Sequence, residues 1–371
     1  MSTPITSIGL MSGSSLDGLD LACGVFTVNA DAKTPQDWLK QWEIIATAMI
    51  PLPDSWIVKL QEAPKMTGRQ LAKMHADFGA FAGRHLQQFI RDNHLAPHCI
   101  ASHGHTIFHY PEQGFTTQIG CGATIAAVTG ITTIDNFRAQ DIALGGQGAP
   151  LAPIADEYLF AEFEGCLNLG GIANLSIKTP SGYVAFDIGG ANQILNAIVQ
   201  PLGLAYDEGG QLARKGQLIP KLLQSLDALP YFAQPFPKSL GNDWVREVQW
   251  PLFAAASGRP EDKLHTACRQ LAGQIAQAIA ATMENEASLP KVMVTGGGAF
   301  NQFLLECIQE ASDRLKPIKL VVPNPEIINF KEAMLMALMG ALRLSGRPNC
   351  RASATGASRD SIGGSLHLVS H

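Results

Sequence analysis

Charge is scarce in this chain of 371 residues: 16% are Asp, Glu, Lys or Arg, and the formal net charge is −5. No basic stripe is present, so the electrostatic footprint of a nucleic-acid binder is missing. Paired cysteines are missing too. The seven cysteines (23, 99, 121, 166, 268, 307 and 350) are odd in number and never spaced as Cys-x-x-Cys. That argues against a zinc site and suits reduced thiols in a cytoplasm. The longest apolar run, 333–342, is too short to cross a bilayer and reads as a buried helix. Met1-Ser2-Thr3-Pro4 opens neither a basic nor an apolar signal-peptide region, so no secretory signal is expected. Low-complexity segments and flexible linkers are lacking. No strand leads through Gly-x-Gly-x-x-Gly into a helix, and no Walker lysine follows a glycine loop, which disfavours a Rossmann dehydrogenase and a P-loop enzyme. What remains is a chain that is 46% hydrophobic, long enough for about two packed domains.

Glycine turns are what it has in abundance. The first is Gly9-Leu10-Met11-Ser12-Gly13-Ser14-Ser15-Leu16-Asp17-Gly18-Leu19-Asp20, which follows an apolar strand and leads into an alternating one. Glycines admit positive φ and a close approach of backbone to ligand. The exposed N–H groups of such a turn can form a concave anion site. The hydroxyls of Ser12, Ser14 and Ser15 add donors, and Asp17 and Asp20 are placed to hold a cation through water. The pattern recurs at Asn168-Leu169-Gly170-Gly171-Ile172-Ala173-Asn174-Leu175-Ser176, again strand, glycine turn, strand. A third turn, Gly296-Gly297-Gly298, follows the buried strand 291–295 and precedes a helix, a setting that favours anionic ligands. Each turn alone could be an ordinary hairpin loop or strand-to-helix turn.

Helical spacing over 68–93 places Leu71, Met74, His75, Phe78, Phe81, Ala82, Leu86, Phe89 and Ile90 on one face. A short buried strand, 99–101, then delivers His103 and His105 to its carboxyl end, where α/β sheets bind ligands. Further helices are expected at about 193–201, 266–286 and 331–344, the last beginning with Glu332 near its positive end.

In this order the three turns resemble the layout of the actin-like ATPase and sugar kinase superfold, a two-domain α/β architecture of ribonuclease H-like units with ATP in an interdomain cleft. The segment 129–153, with Asp135-Asn136-Phe137-Arg138 and Gly145-Gly146-Gln147-Gly148 inside it, narrows the resemblance. Together with the opening turn, Ser102-His103-Gly104-His105-Thr106, residues 168–176, Pro237-Lys238-Ser239-Leu240-Gly241, 294–301, Glu332-Ala333 and Thr355-Gly356-Ala357, it closely resembles the anhydro-N-acetylmuramic acid kinases. The matches span nearly the whole chain in the family's order.

The resemblance implies an ATP-dependent enzyme of cell-wall recycling that opens 1,6-anhydro-N-acetylmuramic acid with water and phosphorylates O6, giving N-acetylmuramic acid 6-phosphate. A cytoplasmic homodimer using ATP and Mg²⁺ is implied as well, with the metal ligands left unknown. The expected domains are 1–135 with about 355–371, and 136–354. ATP-binding residues are expected at Gly13, Ser14, Ser15, Leu16, Asp17, Gly18, Leu19 and Asp20 in the first half. Gly170, Gly171, Asp187, Gly296, Gly297 and Gly298 serve the nucleotide in the second. His103, Arg138 and Gln147 are the expected sugar ligands.

One departure bears on the chemistry. The family's base is an Asp directly before Phe-Arg, and this chain has Asn136 there, with Asp135 one position earlier. An amide has no proton-accepting group of suitable pKa. Asp135, reached by a local backbone shift, or Glu332, which matches a family acid near the same water, is left to take the proton. Two alternatives follow: an amino-sugar kinase without ring hydrolysis, and a catalytically weak ATP- and sugar-binding sensor. Plainer roles stand beside the chemical ones: Asp187 capping the helix after it, Arg138 paired with Asp141, the histidines hydrogen-bonded in the fold, the 145–148 loop a hinge, and Lys238 a solvated charge.

Overall fold

The computed structural model describes residues 2–13, 16–179, 182–283 and 289–369. Ser14 and Ser15 of the opening turn, and the last two residues of the expected first domain, lie outside the described residues. The chain divides into two compact units, Met1–Phe160 with Phe330–His371, and Ala161–Asn329.

In the first unit, β1 (Ser2–Met11), β2 (Gly18–Asn29) and β3 (Leu39–Pro51) form an antiparallel meander. β4 (Cys99–Ser102) joins the other side of β1 in parallel. A small separate hairpin of β5 (His105–Tyr110) and β6 (Phe115–Ile119) precedes β7 (Thr133–Asp135), which lies parallel to β4. The C-terminal strand Ser365–His367 closes that edge, giving a six-stranded sheet ordered Ser365–His367, β7, β4, β1, β2, β3. Central strands such as β4 are buried along their whole length, whereas the edge strand β3 exposes much of one face; strands covered on both faces read as continuous apolar runs.

The helix Gly68–Asp92 supplies the cover that its periodicity predicts, burying Met74, Phe78, Phe81, Ala82, Leu86 and Phe89. Thr67 and Gln70 cap it reciprocally, which satisfies two N–H groups otherwise left open at a helix start. A second cover is the C-terminal part of the helix Pro325–Leu344. It comes so close to β1 that a Cβ on Gly9 would stand 1.8 Å from the carbonyl oxygen of Ala333. Gly340 is the reciprocal gap, against Ser7, Cys99 and Ala101.

The second unit repeats the plan. β8 (Gly165–Leu169), β9 (Ile172–Thr179) and β10 (Gly182–Gly190) form an antiparallel meander, and β11 (Lys291–Thr295) and β12 (Lys319–Val321) continue from β8 in parallel. The order is β10, β9, β8, β11, β12. In both units the first strand is central, with the rest of its antiparallel meander on one side and two parallel strands on the other, to which the first unit adds Ser365–His367 at the edge. Two such ribonuclease H-like units in one chain are the actin-like ATPase fold class that the sequence predicts.

Several boundaries fall elsewhere than expected. Residues 136–160 and 330–354 group with the first unit, because Asp156 pairs with Lys331, Glu157 with Arg351, and Tyr158 and Phe160 meet the rings of Trp38 and Trp42. The helix expected at 266–286 runs Pro260–Thr282, with Pro260 and two acids in its first turn, as helix starts favour. The helix expected to open near Glu332 starts at Pro325. Glu332 therefore sits two turns inside it, beyond the reach of the terminal dipole.

Candidate active site

In the first unit the opening turn joins β1 to β2. Leu16 takes a positive φ of 59°, and Gly18 is required because a Cβ there would lie 2.7 Å from the Ile50 carbonyl oxygen. The turn is tied from below: Ser12 Oγ and His105 Nδ1 share a buried hydrogen bond of 3.0 Å, and Leu52 N–H donates to the Asp17 carbonyl. Asp20, half-buried, is surrounded by like charge. Burial first, then Asp17 and Glu332, raise its carboxyl to about 6.

Glu332 is exposed, yet protein crowds its carboxyl. That desolvation raises its pKa, opposed by the positive charges of Arg138 and Lys331 and reinforced by Asp17. So three acids of the sequence reading and Arg138 act on one another in one place. Glu332 is thereby a carboxyl shifted upward from its ordinary value, the direction that suits a proton acceptor.

Asp135 and Asn136 separate at the end of β7. Asp135 still pairs in register with Ser365, with no bulge before it. Its Oδ2 accepts from Gly122 N–H at 2.7 Å, at the start of the helix Gly122–Thr129, and its Oδ1 meets His367 Nε2 at 3.0 Å. Both carboxylate oxygens are thus engaged in holding a helix start and the C-terminal strand. The turn that re-aims the chain comes one residue later, at Asn136, exposed and left-handed with φ 56°. Asn tolerates that conformation better than most residues.

Arg138 is held by two bonds: Nε donates to His103 Nε2 at 2.9 Å, and Nη1 donates to the Gly148 carbonyl at 2.6 Å. The plainer alternative for it, an ion pair with Asp141, does not form. Asp141 is fully buried and accepts instead from Gly148 N–H, Thr355 Oγ1 and Cys350 Sγ. That hub locks the 145–148 loop onto the C-terminal segment, and Gln147 N–H adds a bond to the Thr355 carbonyl while its side chain stays exposed. His103 has no nitrogen left for a sugar hydroxyl, since Nδ1 meets the Gly104 carbonyl at 3.0 Å. Burial, then the charge of Arg138, push its pKa down to about 3, so the ring is neutral.

In the second unit the expected nucleotide residues converge at one end of the sheet. The Gly171 carbonyl accepts from Ala191 and Gln193, the Gly170 carbonyl from Asn192, and Asn192 Nδ2 donates to the Leu169 carbonyl. Gly296, at φ 78°, would carry a Cβ 2.6 Å from Asn168 Oδ1, and one on Gly298 would sit 2.6 Å from Leu169 Cβ. Gly296 and Gly298 therefore pack against Asn168 and Leu169 at the end of β8, with Gly297–Phe300 as a short turn of 3₁₀ helix and Asn301 capping the helix Gln302–Leu315. Asp187 caps no helix. Its Oδ2 accepts from Leu240 N–H at 3.0 Å, and burial raises its pKa. Lys238 is no solvated charge either: its Nζ donates to the carbonyls of Tyr231, Phe232 and Gln234 and lies 4.6 Å from the ring centres of Tyr231 and Phe236.

The model of the anhydro-N-acetylmuramic acid kinase family matches residues 5–368. This chain belongs to that family. An anhydro-N-acetylmuramic acid kinase of Gloeobacter violaceus is 34% identical, covering 98% of this chain and 99% of its own. One of Aliivibrio fischeri is 35% identical over 95% and 96%. Among solved structures, component A of the (R)-2-hydroxyglutaryl-CoA dehydratase of Acidaminococcus fermentans aligns at TM-score 0.46 and 11% identity, over 92% of this chain and 100% of that one, too slight a likeness to add to the topology above. Among the described residues no helix is long and apolar enough to cross a membrane, and no three His, Cys, Asp or Glu side chains form a metal cage.

Three features of this family member escaped sequence reasoning: the Asp141 hub, the Ser12–His105 bond and the Gly9 contact. Only the Thr355-Gly356-Ala357 motif hinted at the first, by its place in the family pattern.

Proposed function

We propose that this protein is an ATP-dependent anhydro-N-acetylmuramic acid kinase, a phosphotransferase that hydrolyses the 1,6-anhydro bond and phosphorylates the freed O6. The observation that carries the reading is the family match over residues 5–368, which favours it over a kinase for an ordinary amino sugar. Cell-wall recycling in the cytoplasm, as a homodimer, completes the reading.

The residues divide the work as follows. Glu332 takes a proton from the water that attacks C1; the raised pKa set by its desolvation supports this. Asn136, exposed on its left-handed turn, orients that water through its amide and cannot accept the proton. Asp135 holds the turn from behind, since its hydrogen bonds to Gly122 and its pair with His367 occupy it. The water oxygen bonds to C1 as the C1–O6 bond breaks, and O6 attacks the γ-phosphate while that phosphate's bond to the bridging oxygen breaks and ADP leaves, a step in which protein contributes mainly position and charge. Arg138 pairs with the lactyl carboxylate of the sugar, with Gln147 beside it on the same loop system. Residues 13–20, Gly170, Gly171, Asp187 and Gly296, Gly297 and Gly298 are assigned to ATP. Asp17 and Asp20 suit a hard cation held by few carboxylates through water. Mg²⁺ there, held by Asp17 and Asp20 through water, would neutralise charge on the nucleotide phosphates.

Turnover in ¹⁸O-labelled water, followed for ADP and for label at C1, tests this. Label at C1 is expected in the wild type. Glu332→Gln should lose at least about 100-fold in kcat, the lower range for general-base catalysis. Asp135→Ala should keep activity within about 10-fold, and Asn136→Asp should raise it. Full activity of Glu332→Gln, or unlabelled product, defeats the assignment.

A further inference from the structure

Arg138 and His103 lie at the carboxyl ends of neighbouring strands, β7 and β4, and 35 positions apart in sequence. An arginine Nε–H can only donate, so His103 Nε2 must be the bare, accepting nitrogen of its ring. The proton then sits on Nδ1, which donates to the Gly104 carbonyl. Gly104 itself is fixed: its φ is 70°, and a Cβ on it would lie 2.4 Å from the Ile119 carbonyl oxygen. On the far side of the guanidinium, Nη1 is bound by the Gly148 carbonyl, and Gly148 is held in turn by buried Asp141. One relay of hydrogen bonds therefore runs from Gly104 through His103, Arg138 and Gly148 to Asp141.

That relay decides which face of the guanidinium remains for a ligand. The side edge, made by Nε and Nη2, is closed because His103 takes Nε. The remaining donors are those of Nη2 and one proton of Nη1, and Nη2 is the one shared with the end of the fork. We propose that His103 is a positioning residue for substrate: as the Nδ1–H tautomer it turns Arg138 so that the end of its fork, and not its side, receives the planar carboxylate of the sugar acid. This rests on the assignment of Arg138 to the lactyl carboxylate made above. His103 itself touches no substrate. Its contribution is specificity for a sugar that bears an acid.

Calorimetric titration of 1,6-anhydro-N-acetylmuramic acid, and of the same sugar with its carboxylate converted to the amide, reads the effect without turnover. Wild type is expected to favour the acid, and His103→Phe, which keeps bulk but offers no acceptor, should shrink that preference by about 10- to 100-fold, the range for a hydrogen bond to a charged group. His103→Gln, whose amide can both accept and donate, should restore most of it. In steady state the change should fall on KM for the sugar acid, not on KM for ATP. Nitrogen-15 shifts of the ring should report Nδ1 protonated and Nε2 bare. An unchanged acid-to-amide preference in His103→Phe, a wild type indifferent to the carboxylate, a glutamine that restores nothing, or a ring protonated on Nε2 each overturns the proposal. An enzyme that prefers the acid in this titration but fails to phosphorylate it would instead sink the proposed function and leave the His103 relay standing.

Discussion

Replacing Gly9 by Ala puts one methyl group where the fold has no room for it. The added carbon would stand 1.8 Å from the Ala333 carbonyl oxygen, 2.6 Å from Ala337 N and 2.9 Å from the Ala333 carbonyl carbon. All three atoms are backbone, so no side chain can rotate away. To reach the 3.4 Å of ordinary contact, the helix would have to withdraw from β1 by 3.4 − 1.8, or about 1.6 Å. Overpacking alone costs about 1–3 kcal/mol. A gap of that size also forfeits much of the dispersion under Ala333, Met334, Met336, Ala337 and Met339, all buried. A loss of at least about 3 kcal/mol is therefore expected, which for a unit of this size lowers Tm by about 6–12 °C. The same displacement carries Glu332, and a misplacement of about 1 Å can cost about 100-fold in rate. Calorimetric melting and turnover of Gly9→Ala measure both. Gly68→Ala is the control: its Cβ meets nothing within 4 Å at a helix start, so a gain of about 0.4–1 kcal/mol is expected. A Gly9→Ala protein melting within about 2 °C of wild type, with unchanged kcat, would refute the close packing and the placement of Glu332 that depends on it.

The carboxyl of Asp20, raised from 3.8 to about 6, favours the folded state when protonated; that contribution is complete below 3.8 and lost as pH rises through 6. Asp20→Asn should therefore melt above wild type near pH 8 and lose the advantage near pH 4, as thermal melts across pH would register. Lys238→Met strips a donor from three carbonyls in the 231–240 loop, whose Leu240 N–H holds Asp187. A loss of about 1.5–3 kcal/mol in urea unfolding is expected, together with a raised KM for ATP; a neutral result would return Lys238 to the status of a surface charge.

Legibility followed the range of the interaction. The helix Gly68–Asp92 could be read because its spacing and its Thr67 cap are local facts. So could the glycine turns, because a positive φ at Gly296 or Gly18's contact with β3 demands glycine whatever the distant partner. Asp135 could not be read this way. Its carboxylate was free on paper, and the pair that occupies it comes from His367, 232 residues further on. Asp141, three positions away, was the plainer partner on offer to Arg138, which found His103 on another strand. Asp141 was drawn off by Thr355 and Cys350, each more than 200 residues distant. In every such case a hydrogen-bonding group has several possible partners, and only the sheet order decides which one arrives.

By itself the sequence determined the kinase family, the doubled α/β plan and the turns that suit phosphate, because spacing, apolar period and glycine placement are properties of the chain. Tertiary structure decided what its polar groups do. Burial beside Asp17 and Glu332 sets the Asp20 carboxyl at about 6, and the close approach of a helix to Gly9 places Glu332. The end of β7 divides Asp135, held at a helix start, from Asn136, turned out to solvent. Those outcomes depend on desolvation and on contacts between distant segments, and neither exists until the chain has folded.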